Sequence, residues 1–243
     1  MDSAVTPGSD TMNLLVAGLP EMSRDILLAH AERVSIRPNL LLCDVDQPIE
    51  FAYFPLDCLI SGTTVLAEGG IVEALTIGRE GFAGLPLIFG AREGSMREVG
   101  QLKGDALRVP TAAFLDLYAR LPVFRARVSR YADAVVKLLV QTLACNRFHR
   151  IEERCARWLL MTQDRVGADR LALTHEFIAQ MLGTYRPTIS LALQQMEDAG
   201  LIRPERGAVT ILDREGLEAL SCECYDVVQQ RFEAYYRVLT GEG

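Results

Sequence analysis

The sequence lacks any uncharged run long enough to cross a membrane. Among its 243 residues the longest stretch without a charged side chain covers residues 81–91, whereas a spanning helix needs roughly 18–20 apolar residues. Acidic residues precede the first base, and no cationic segment leads into an apolar core as a secretory signal requires. We therefore expect a protein that stays in the cytoplasm and does not enter a membrane.

Cysteine and histidine are too scattered to indicate a disulfide framework, a metal site or a catalytic centre. The six cysteines are Cys43, Cys58, Cys145, Cys155, Cys222 and Cys224, and we expect them to be reduced. Cys222 and Cys224 are close, but no second Cys or His pair lies near them in the sequence to complete a tetrahedral site. No Gly-x-Ser-x-Gly motif or phosphate-binding loop is present. We predict no metal, no cofactor, no catalytic residue and no enzymatic activity.

Basic residues are fewer than acidic ones, 25 against 32, which argues against a nonspecific coat on nucleic acid. The imbalance is uneven, because residues 146–213 contain nine of each sign and all nine bases are arginines. Hydrophobic residues make up 49% of the chain, enough to form one or two cores.

Short apolar runs separated by Gly, Asp and Pro fill residues 40–110, with a turn pattern at Glu68-Gly69-Gly70. This pattern predicts an antiparallel β-roll. Helical spacing over residues 21–33 predicts a leading helix. We expect a flexible N-terminal arm over residues 1–20 and the roll domain over residues 21–122.

The period changes after Pro110. Thr111 is expected to cap a short helix, and Pro122 to begin a long one over residues 123–149. Apolar residues recur there at steps of three and four, and they predict a dimer seam: Val128, Tyr131, Val135, Leu138, Thr142 and Cys145. A second strip widens the apolar face: Ala132, Val136, Leu139 and Leu143. Burial within a single chain is the alternative, and facing copies of Cys145 would allow a thiol switch.

Residues 150–213 predict a winged helix-turn-helix. Thr174 caps one short helix, Gly183 provides the turn, and a second helix begins near Arg186. Residues 201–212 follow with two strand patterns and a turn. The alternative is an ordinary helical hairpin in a core. Residues 214–243 have the spacing of a C-terminal helix beginning after Asp213.

This order of elements, with the segments GFAGLPLIF, LTHEFIAQMLGTYRPTISLALQQMEDAGLI and CECY, resembles the cyclic-AMP receptor protein/Fnr (Crp/Fnr) family of bacterial transcription regulators. The resemblance covers roughly residues 40–212. It implies an α+β fold with a jelly-roll domain like those that bind cyclic nucleotides, a dimerisation helix and a DNA-binding domain. Double-stranded DNA and a second copy of the chain are the implied partners, with RNA polymerase as a further candidate.

The resemblance also implies which side chains contact DNA. Arg186 matches the family's guanine-reading arginine, and His175 stands at a basic contact to the DNA backbone. Thr174 and Thr188 match hydroxyls that contact phosphate. With the outward residues of the second helix, the predicted DNA-binding set is Thr174, His175, Tyr185, Arg186, Thr188, Ser190 and Gln194. Pro187 and Leu191 replace two base readers of the family, so we expect a different operator.

The ligand pocket departs further from the family. Where nucleotide-binding members have Gly-Glu-Leu and Arg-Ser, this chain has Gly84-Leu85-Pro86 and Ser95-Met96. A cyclic phosphate would lack its arginine there, so we do not expect conventional cyclic-AMP binding. The remaining candidates for an effector pocket are Gly84, Leu85, Arg92, Ser95, Met96 and Arg97.

Three hypotheses follow. The first is a homodimeric transcription regulator whose roll is a sensor or purely structural. The second is the same regulator gated by a non-standard small molecule, such as another nucleotide, or by a redox signal. The third is a protein-interaction adaptor that has lost DNA binding, which the three bases and five acids of residues 171–213 slightly favour.

Overall fold

The computed structural model describes residues 12–240, which form helices, strands and two compact units. One unit comprises the chain up to Ile60, Ile77–Ala132 and the chain from Tyr235; the other comprises Ser61–Thr76 and Asp133–Ala234. These units do not follow the boundaries expected from the sequence, because the hairpin at residues 61–76 belongs to the second unit. The predicted α+β class with N-terminal antiparallel sheets is confirmed.

The roll consists of two sheets. The strands of the first are β1 (Glu32–Ile36), β3 (Phe51–Pro55) and β7 (Gly104–Pro110), in the order β1-β7-β3. The strands of the second are β2 (Leu41–Cys43), β4 (Leu59–Val65), β5 (Ile71–Ile77) and β6 (Arg97–Leu102), in the order β2-β6-β4-β5. Strand β7 pairs antiparallel with both neighbours, with Arg108 opposite Glu32 and Pro110 opposite Phe51.

The segment GFAGLPLIF forms a short 3₁₀ helix, Leu85–Phe89, where the sequence predicted a strand. Glycines with positive φ, Gly84 at 103° and Gly90 at 85°, bound it. Pro86 has no amide hydrogen to donate to a sheet, which explains why this apolar run does not extend as a strand.

An aromatic cluster forms the core of the first unit. Four fully buried rings have centroids 5.3–6.4 Å apart: Phe54, Phe82, Phe114 and Phe124. Tyr131 packs on Phe82 and lies so close to Gly81 that a β-carbon there would fall 2.2 Å from the tyrosine ring. Only glycine fits this position.

Residues 13–19 of the predicted flexible arm belong to this core. Helix α1 (Leu14–Ala17) begins after Asn13, whose side-chain oxygen accepts from the backbone of Leu15 and whose amide donates to Gly81 O at 2.8 Å. Leu15 and Val16 are buried. The arm over residues 13–19 is therefore packed, and residues 1–11 lie outside the described residues.

The next two helices begin close to where the sequence placed them. Helix α2 (Glu21–Leu28) ends before the predicted residue 33, because strand β1 begins at Glu32. Helix α3 (Thr111–Arg120) starts at Thr111, with Pro110 at the cap position. The Thr111 hydroxyl donates to Ile49 O, so it does not cap the helix as expected.

Helix α4 (Pro122–Phe148) begins at its predicted proline, but its predicted dimer seam is buried within the protomer. Five of the six seam residues are at most 2% exposed: Val128, Tyr131, Val135, Leu138 and Cys145. Thr142 is half-buried. Of the second strip, Val136 and Leu143 are exposed by 50% and 74%, whereas Leu139 is half-buried and Ala132 is buried. Val140, which the sequence analysis did not include, is 62% exposed. The structure therefore buries the strip that the sequence analysis assigned to a partner.

The second unit contains the winged helix-turn-helix. Its helices are α5 (Ile151–Val166), α6 (His175–Met181) and α7 (Arg186–Asp198), and its sheet has the order β8-β10-β9, formed by Arg170–Leu171, Ala208–Ile211 and Ile202–Glu205. The wing turn is the dipeptide Arg206-Gly207, where Gly207 has a φ of 78°. The sequence predicted a four-residue turn, Pro204-Glu205-Arg206-Gly207. The observed turn is shorter because β9 extends through Glu205.

The C-terminal segment is two helices where the sequence predicted one. Helix α8 (Arg214–Leu220) is capped by Asp213, whose carboxylate accepts from Gly216 N, and helix α9 spans Cys224–Thr240. The chain is extended at Ser221, which has a ψ of 160°. Across residues 12–240, no helix combines the length and apolar character required to span a membrane.

Candidate nucleic-acid interface

Helices α6 and α7 meet across the turn that the sequence predicted. Thr174 caps α6 by accepting a hydrogen bond from Phe177 N at 3.1 Å. Ala179 and Ile189 are buried where the helices cross, and Gly183 adopts a φ of 62° between them. A small residue, a β-branched residue and a left-handed glycine at these points allow two short helices to pack closely.

The outer face of α7 is exposed and chemically varied. Tyr185, at the N-cap, is 81% exposed. Arg186, Pro187, Leu191 and Gln194 are also exposed. Thr188 and Ser190 are half-buried on the same helix. An arginine, an amide and a tyrosine hydroxyl are groups that form hydrogen bonds to base edges and phosphates.

His175 is less basic than the sequence comparison implied. Its Nδ1 lies 3.0 Å from Ser190 Oγ, so the first residue of α6 contacts the middle of α7. Burial, and then the positive charge of Arg186, hold the pKa of His175 below its ordinary value of 6.5. The ring is therefore neutral near pH 7, where it orients Ser190 by hydrogen bonding rather than attracting phosphate by charge.

Two comparisons with known proteins bear on this surface. Residues 153–220 match the family model of the Crp-like helix-turn-helix domain. Among solved structures, FixK2 from Bradyrhizobium japonicum is 17% identical with a TM-score of 0.69, covering 79% of this chain and 98% of its own. A putative crp/fnr regulator from Eubacterium rectale is 17% identical with a TM-score of 0.64, covering 83% of this chain and 94% of its own.

The c-di-GMP responsive global regulator CLP of Xanthomonas campestris is 13% identical with a TM-score of 0.66, and covers 79% of this chain and 99% of its own. No curated protein matches the chain. The chain contains a Crp-like helix-turn-helix domain over residues 153–220. It combines a Crp-like helix-turn-helix domain with the fold of the Crp/Fnr regulators, and the resemblance predicted from the sequence is confirmed. All seven predicted DNA-binding residues lie inside the matched segment.

Within the second unit, the hairpin formed by β4 and β5 packs against the helix-turn-helix domain. Buried Glu73 accepts hydrogen bonds from Ser61 Oγ at 2.6 Å, Thr76 Oγ1 at 2.8 Å and Trp158 Nε1 of α5 at 2.5 Å. Burial raises the pKa of Glu73. A β-carbon at Gly183 would lie 3.1 Å from the Val72 side chain. No sequence pattern connects Glu73 with Trp158, so this contact was not predicted.

The predicted effector residues of the roll do not form an open anion site. Gly84 and Leu85 are buried, Arg92 and Ser95 are exposed, and Met96 is half-buried. Arg97 is already engaged, because its Nε and Nη2 donate to Asp44 at 3.0 and 2.8 Å. The arginine that the sequence places near this loop is therefore not free for a ligand, because its guanidinium is already paired with a carboxylate of the same domain.

A buried acid next to this loop, Glu98 of β6, was not singled out from the sequence. Glu98 accepts a hydrogen bond from Gly84 N at 3.0 Å. Burial raises the pKa of Glu98 to about 7. A buried carboxyl next to Gly84 repels an anionic ligand whenever it is ionised, which supports the expectation that this pocket does not hold a cyclic phosphate.

A second group of side chains comes together only in the fold. Cys145, on the last turn of α4, and His149, just after that helix, meet Cys222, between α8 and α9, and Cys224, the first residue of α9. All four donor atoms lie within 4.8 Å of one another. The fold therefore brings to the Cys222–Cys224 pair a further cysteine and a histidine that are not near it in the sequence. The available signal was the i, i+4 spacing of Cys145 and His149, which places both on one helix face.

Proposed function

We propose that this Crp/Fnr-type protein is a sequence-specific transcription regulator that binds a near-palindromic operator as a homodimer. One observation carries the proposal: in a Crp-like domain, the second helix of the helix-turn-helix leaves its outward side chains exposed. An adaptor that has lost DNA binding would not need such a surface.

The chemistry of α7 supports direct readout of bases in the major groove. Arg186, on its first turn, can form two hydrogen bonds with O6 and N7 of guanine, and Gln194 can pair with adenine. Gln194 presently donates to Asp198 at 2.9 Å, an exposed contact that a base edge can replace. Pro187 and Leu191 offer apolar contacts to thymine methyl groups.

Thr174 is suited to a phosphate contact. Its Oγ1 accepts from Phe177 N as a helix cap, which leaves the hydroxyl hydrogen free to be donated. Such contacts set the register of the protein on the duplex, whereas α7 reads the sequence.

The exposed strip of α4 supports a homodimer. Val136, Val140 and Leu143 recur at steps of four and three, the spacing of a two-helix seam, and this strip is self-complementary about a two-fold axis. Two copies of α7 would then be presented to half-sites roughly 10–10.5 base pairs apart.

The mechanism that we propose is non-catalytic: the roll and α4 set the spacing of two recognition helices, and any effector changes that spacing. The Glu73–Trp158 hydrogen bond is a direct link from a hairpin of the roll to helix α5 of the DNA-binding domain. An effector other than cyclic AMP is compatible with this arrangement.

The deciding experiment is selection of a randomised duplex pool by the purified protein without ligand, followed by fluorescence anisotropy on the selected site. We expect a two-fold symmetric sequence, and we expect Arg186→Ala to weaken its binding by about 1–3 kcal/mol, roughly 5- to 150-fold. Arg125→Ala, an exposed arginine of α4 outside the interface, is the matched control. If no sequence is enriched, the adaptor hypothesis replaces the regulator.

The dimer is tested separately by sedimentation of Leu143→Asp. A charge placed in a two-fold seam occurs twice without a partner, so we expect dissociation into monomers and loss of operator binding. Leu41→Asp, another exposed leucine, on the roll, serves as the control. A dimer that survives Leu143→Asp unchanged would show that another surface forms the interface.

A further inference from the structure

We propose that Cys145, His149, Cys222 and Cys224 form a tetrahedral site for a single thiophilic metal ion, with Zn²⁺ as the ion of best fit. The proposal concerns the second unit alone and does not depend on DNA binding.

The first support is distance. Cys145 Sγ lies 3.5 Å from Cys222 Sγ, and Cys224 Sγ lies 3.5 Å from His149 Nδ1. With Zn–S bonds of about 2.3 Å and Zn–N bonds of about 2.0–2.1 Å, a tetrahedral ion places two sulfurs about 3.8 Å apart and a sulfur and a nitrogen about 3.6 Å apart. Two donor pairs are thus close to the spacing that one ion requires, and the remaining pairs lie within 4.8 Å.

The second support is the way in which the ligands are held. Cys145 and His149 are separated by one helical turn, and Cys222 and Cys224 bracket the single residue Glu223. The three cysteines form a buried cluster with exposures of 0%, 6% and 1%. Four protein ligands leave no open position, which is typical of a structural rather than a catalytic zinc site.

The third support comes from the other ring nitrogen of His149. Its Nε2 lies 3.0 Å from a carboxylate oxygen of Glu223. A histidine that binds a metal through one nitrogen usually donates the other N–H to a carboxylate, which fixes its tautomer and orientation. The residue between the two cysteines is therefore the one that orients the fourth ligand.

The charged and polar side chains around the cluster also favour a bound metal ion. Three thiolates and Zn²⁺ carry a net charge of −1, and Gln141 Nε2 donates to Cys224 Sγ at 3.0 Å. Arg154 and Arg157 of α5 interact electrostatically with the thiols, and each has a buried Nε atom without a hydrogen-bond partner. An anionic metal centre gives these buried positive charges a counter-charge.

Other uses of the same thiols fit less well. The donor atoms are too close together to surround a four-iron cluster, whose metal atoms need room between the ligands. A Cys145–Cys222 disulfide would use two sulfurs and would leave Cys224 and the His149–Glu223 pair unexplained. When Zn²⁺ binds, three thiol protons are released to solvent and four coordination bonds form, so no redox partner is needed.

The position of the site gives the ion a structural task. It joins the C-terminal end of α4 to the junction of α8 and α9, next to Arg150, where α4 gives way to α5. Because the ligands assemble only in the folded chain, binding stabilises the fold.

The test uses the full-length protein purified under reducing conditions, with native mass spectrometry and elemental analysis of the metal. We expect about one zinc per chain. We also expect Co²⁺, added to protein stripped by a chelator, to give the sulfur-to-cobalt charge-transfer bands and intense d–d bands of a tetrahedral thiolate site. Absence of both retained metal and these bands would overturn the proposal.

Variants locate the site. Cys222→Ala and His149→Ala should lose stoichiometric zinc and weaken the cobalt spectrum, whereas His149→Cys should retain the ion in a four-thiolate site. Cys155→Ala, a fully buried cysteine of the same unit outside the cluster, should behave like the parent. Equal zinc in Cys222→Ala and Cys155→Ala would overturn the assignment, as would a Cys145–Cys222 disulfide in protein that never contained metal. If an alanine variant fails to fold, the cobalt spectra of the parent and of His149→Cys still decide.

Discussion

The recognition helix and the loop of the roll around Gly84 treat their polar groups in opposite ways. On α7, Arg186 and its neighbours point outward and are exposed. In the roll, Arg97 is paired with Asp44, and Glu98 is buried against Gly84 N. The first turn of α7 leaves its arginine exposed, whereas the roll satisfies Arg97 and Glu98 internally.

This difference indicates where the chain has kept a binding surface. A group that is already hydrogen-bonded in a protein must give up that bond before it can bind a ligand, and the exchange reduces any gain in free energy. An exposed group gives up only water. The proposed DNA-reading surface therefore has less to give up on binding than Arg97 and Glu98 have in the roll loop. The predictions below test the two sides of this contrast.

The largest expected effect is on the roll side, where Glu98→Gln should stabilise the protein at neutral and alkaline pH. The pKa of Glu98 rises from 4.5 to about 7 on folding, so the parent loses stability as pH rises from 4.5 to 7, by an amount on the order of 3 kcal/mol. The unfolded carboxyl ionises in this window while the folded one keeps its proton. Urea unfolding across this range should show a flatter profile for Glu98→Gln.

Glu93→Gln, an exposed acid of the neighbouring loop, is the control for that experiment and should follow the parent. Parallel pH profiles for Glu98→Gln and the parent would mean that Glu98 does not hold its proton in the folded roll.

On the recognition side, the double change Pro187→Glu and Leu191→Arg should change which operator is preferred. It installs the two kinds of base reader that the Crp/Fnr resemblance implies at these positions, and each base pair gained or lost is worth about 1–3 kcal/mol. Repeating the duplex selection with this variant measures the change. The same enriched sequence as for the parent would show that these two positions do not face bases.

Two substitutions of Thr174, with smaller expected effects, distinguish its role as a helix cap from its proposed contact with phosphate. Thr174→Ala removes the cap of α6 and should cost about 1 kcal/mol of stability. Thr174→Ser keeps a hydroxyl and should restore both stability and DNA affinity. Urea unfolding and anisotropy, measured on both variants, provide the comparison; equal losses for serine and alanine would point to the methyl group instead.

The smallest effect is expected for cyclic AMP. Because Arg97 is paired with Asp44, saturating cyclic AMP should leave the melting temperature of the parent unchanged, and Arg97→Ala should lower that temperature only slightly, since the ion pair is half-exposed. Thermal melts of the parent and of Arg97→Ala, each with and without cyclic AMP, measure both melting temperatures. A ligand-dependent rise that disappears in Arg97→Ala would instead identify a phosphate partner.

Much of the DNA-binding region could be predicted because its signals are local. Thr174 caps α6, Pro122 begins α4, and Gly207 forms the wing turn, each through a backbone preference that acts within a few residues. The same local rules failed at Leu85–Phe89, where an apolar run with strand-like composition contains a proline and forms a 3₁₀ helix.

The features that the sequence did not predict depend on contacts between distant residues. Trp158 meets Glu73 across 85 positions, and Cys145 meets Cys222 across 77. No period or motif records such pairs. The expectation about the cysteines considered only residues near them in the chain, so it did not include Cys145 and His149 as neighbours of Cys222.

The amino-acid sequence by itself determined the order of the elements, the two apolar strips of α4 and the residue types on the reading face of α7, because these follow from periodicity and local backbone chemistry. Only the tertiary structure decided which strip of α4 is buried, that Arg97 is paired with Asp44, and that Cys145 and His149 meet Cys222 and Cys224. The physical reason is that burial and pairing depend on which surface packs against which, and a side-chain pattern that fits two partners equally well does not specify the choice.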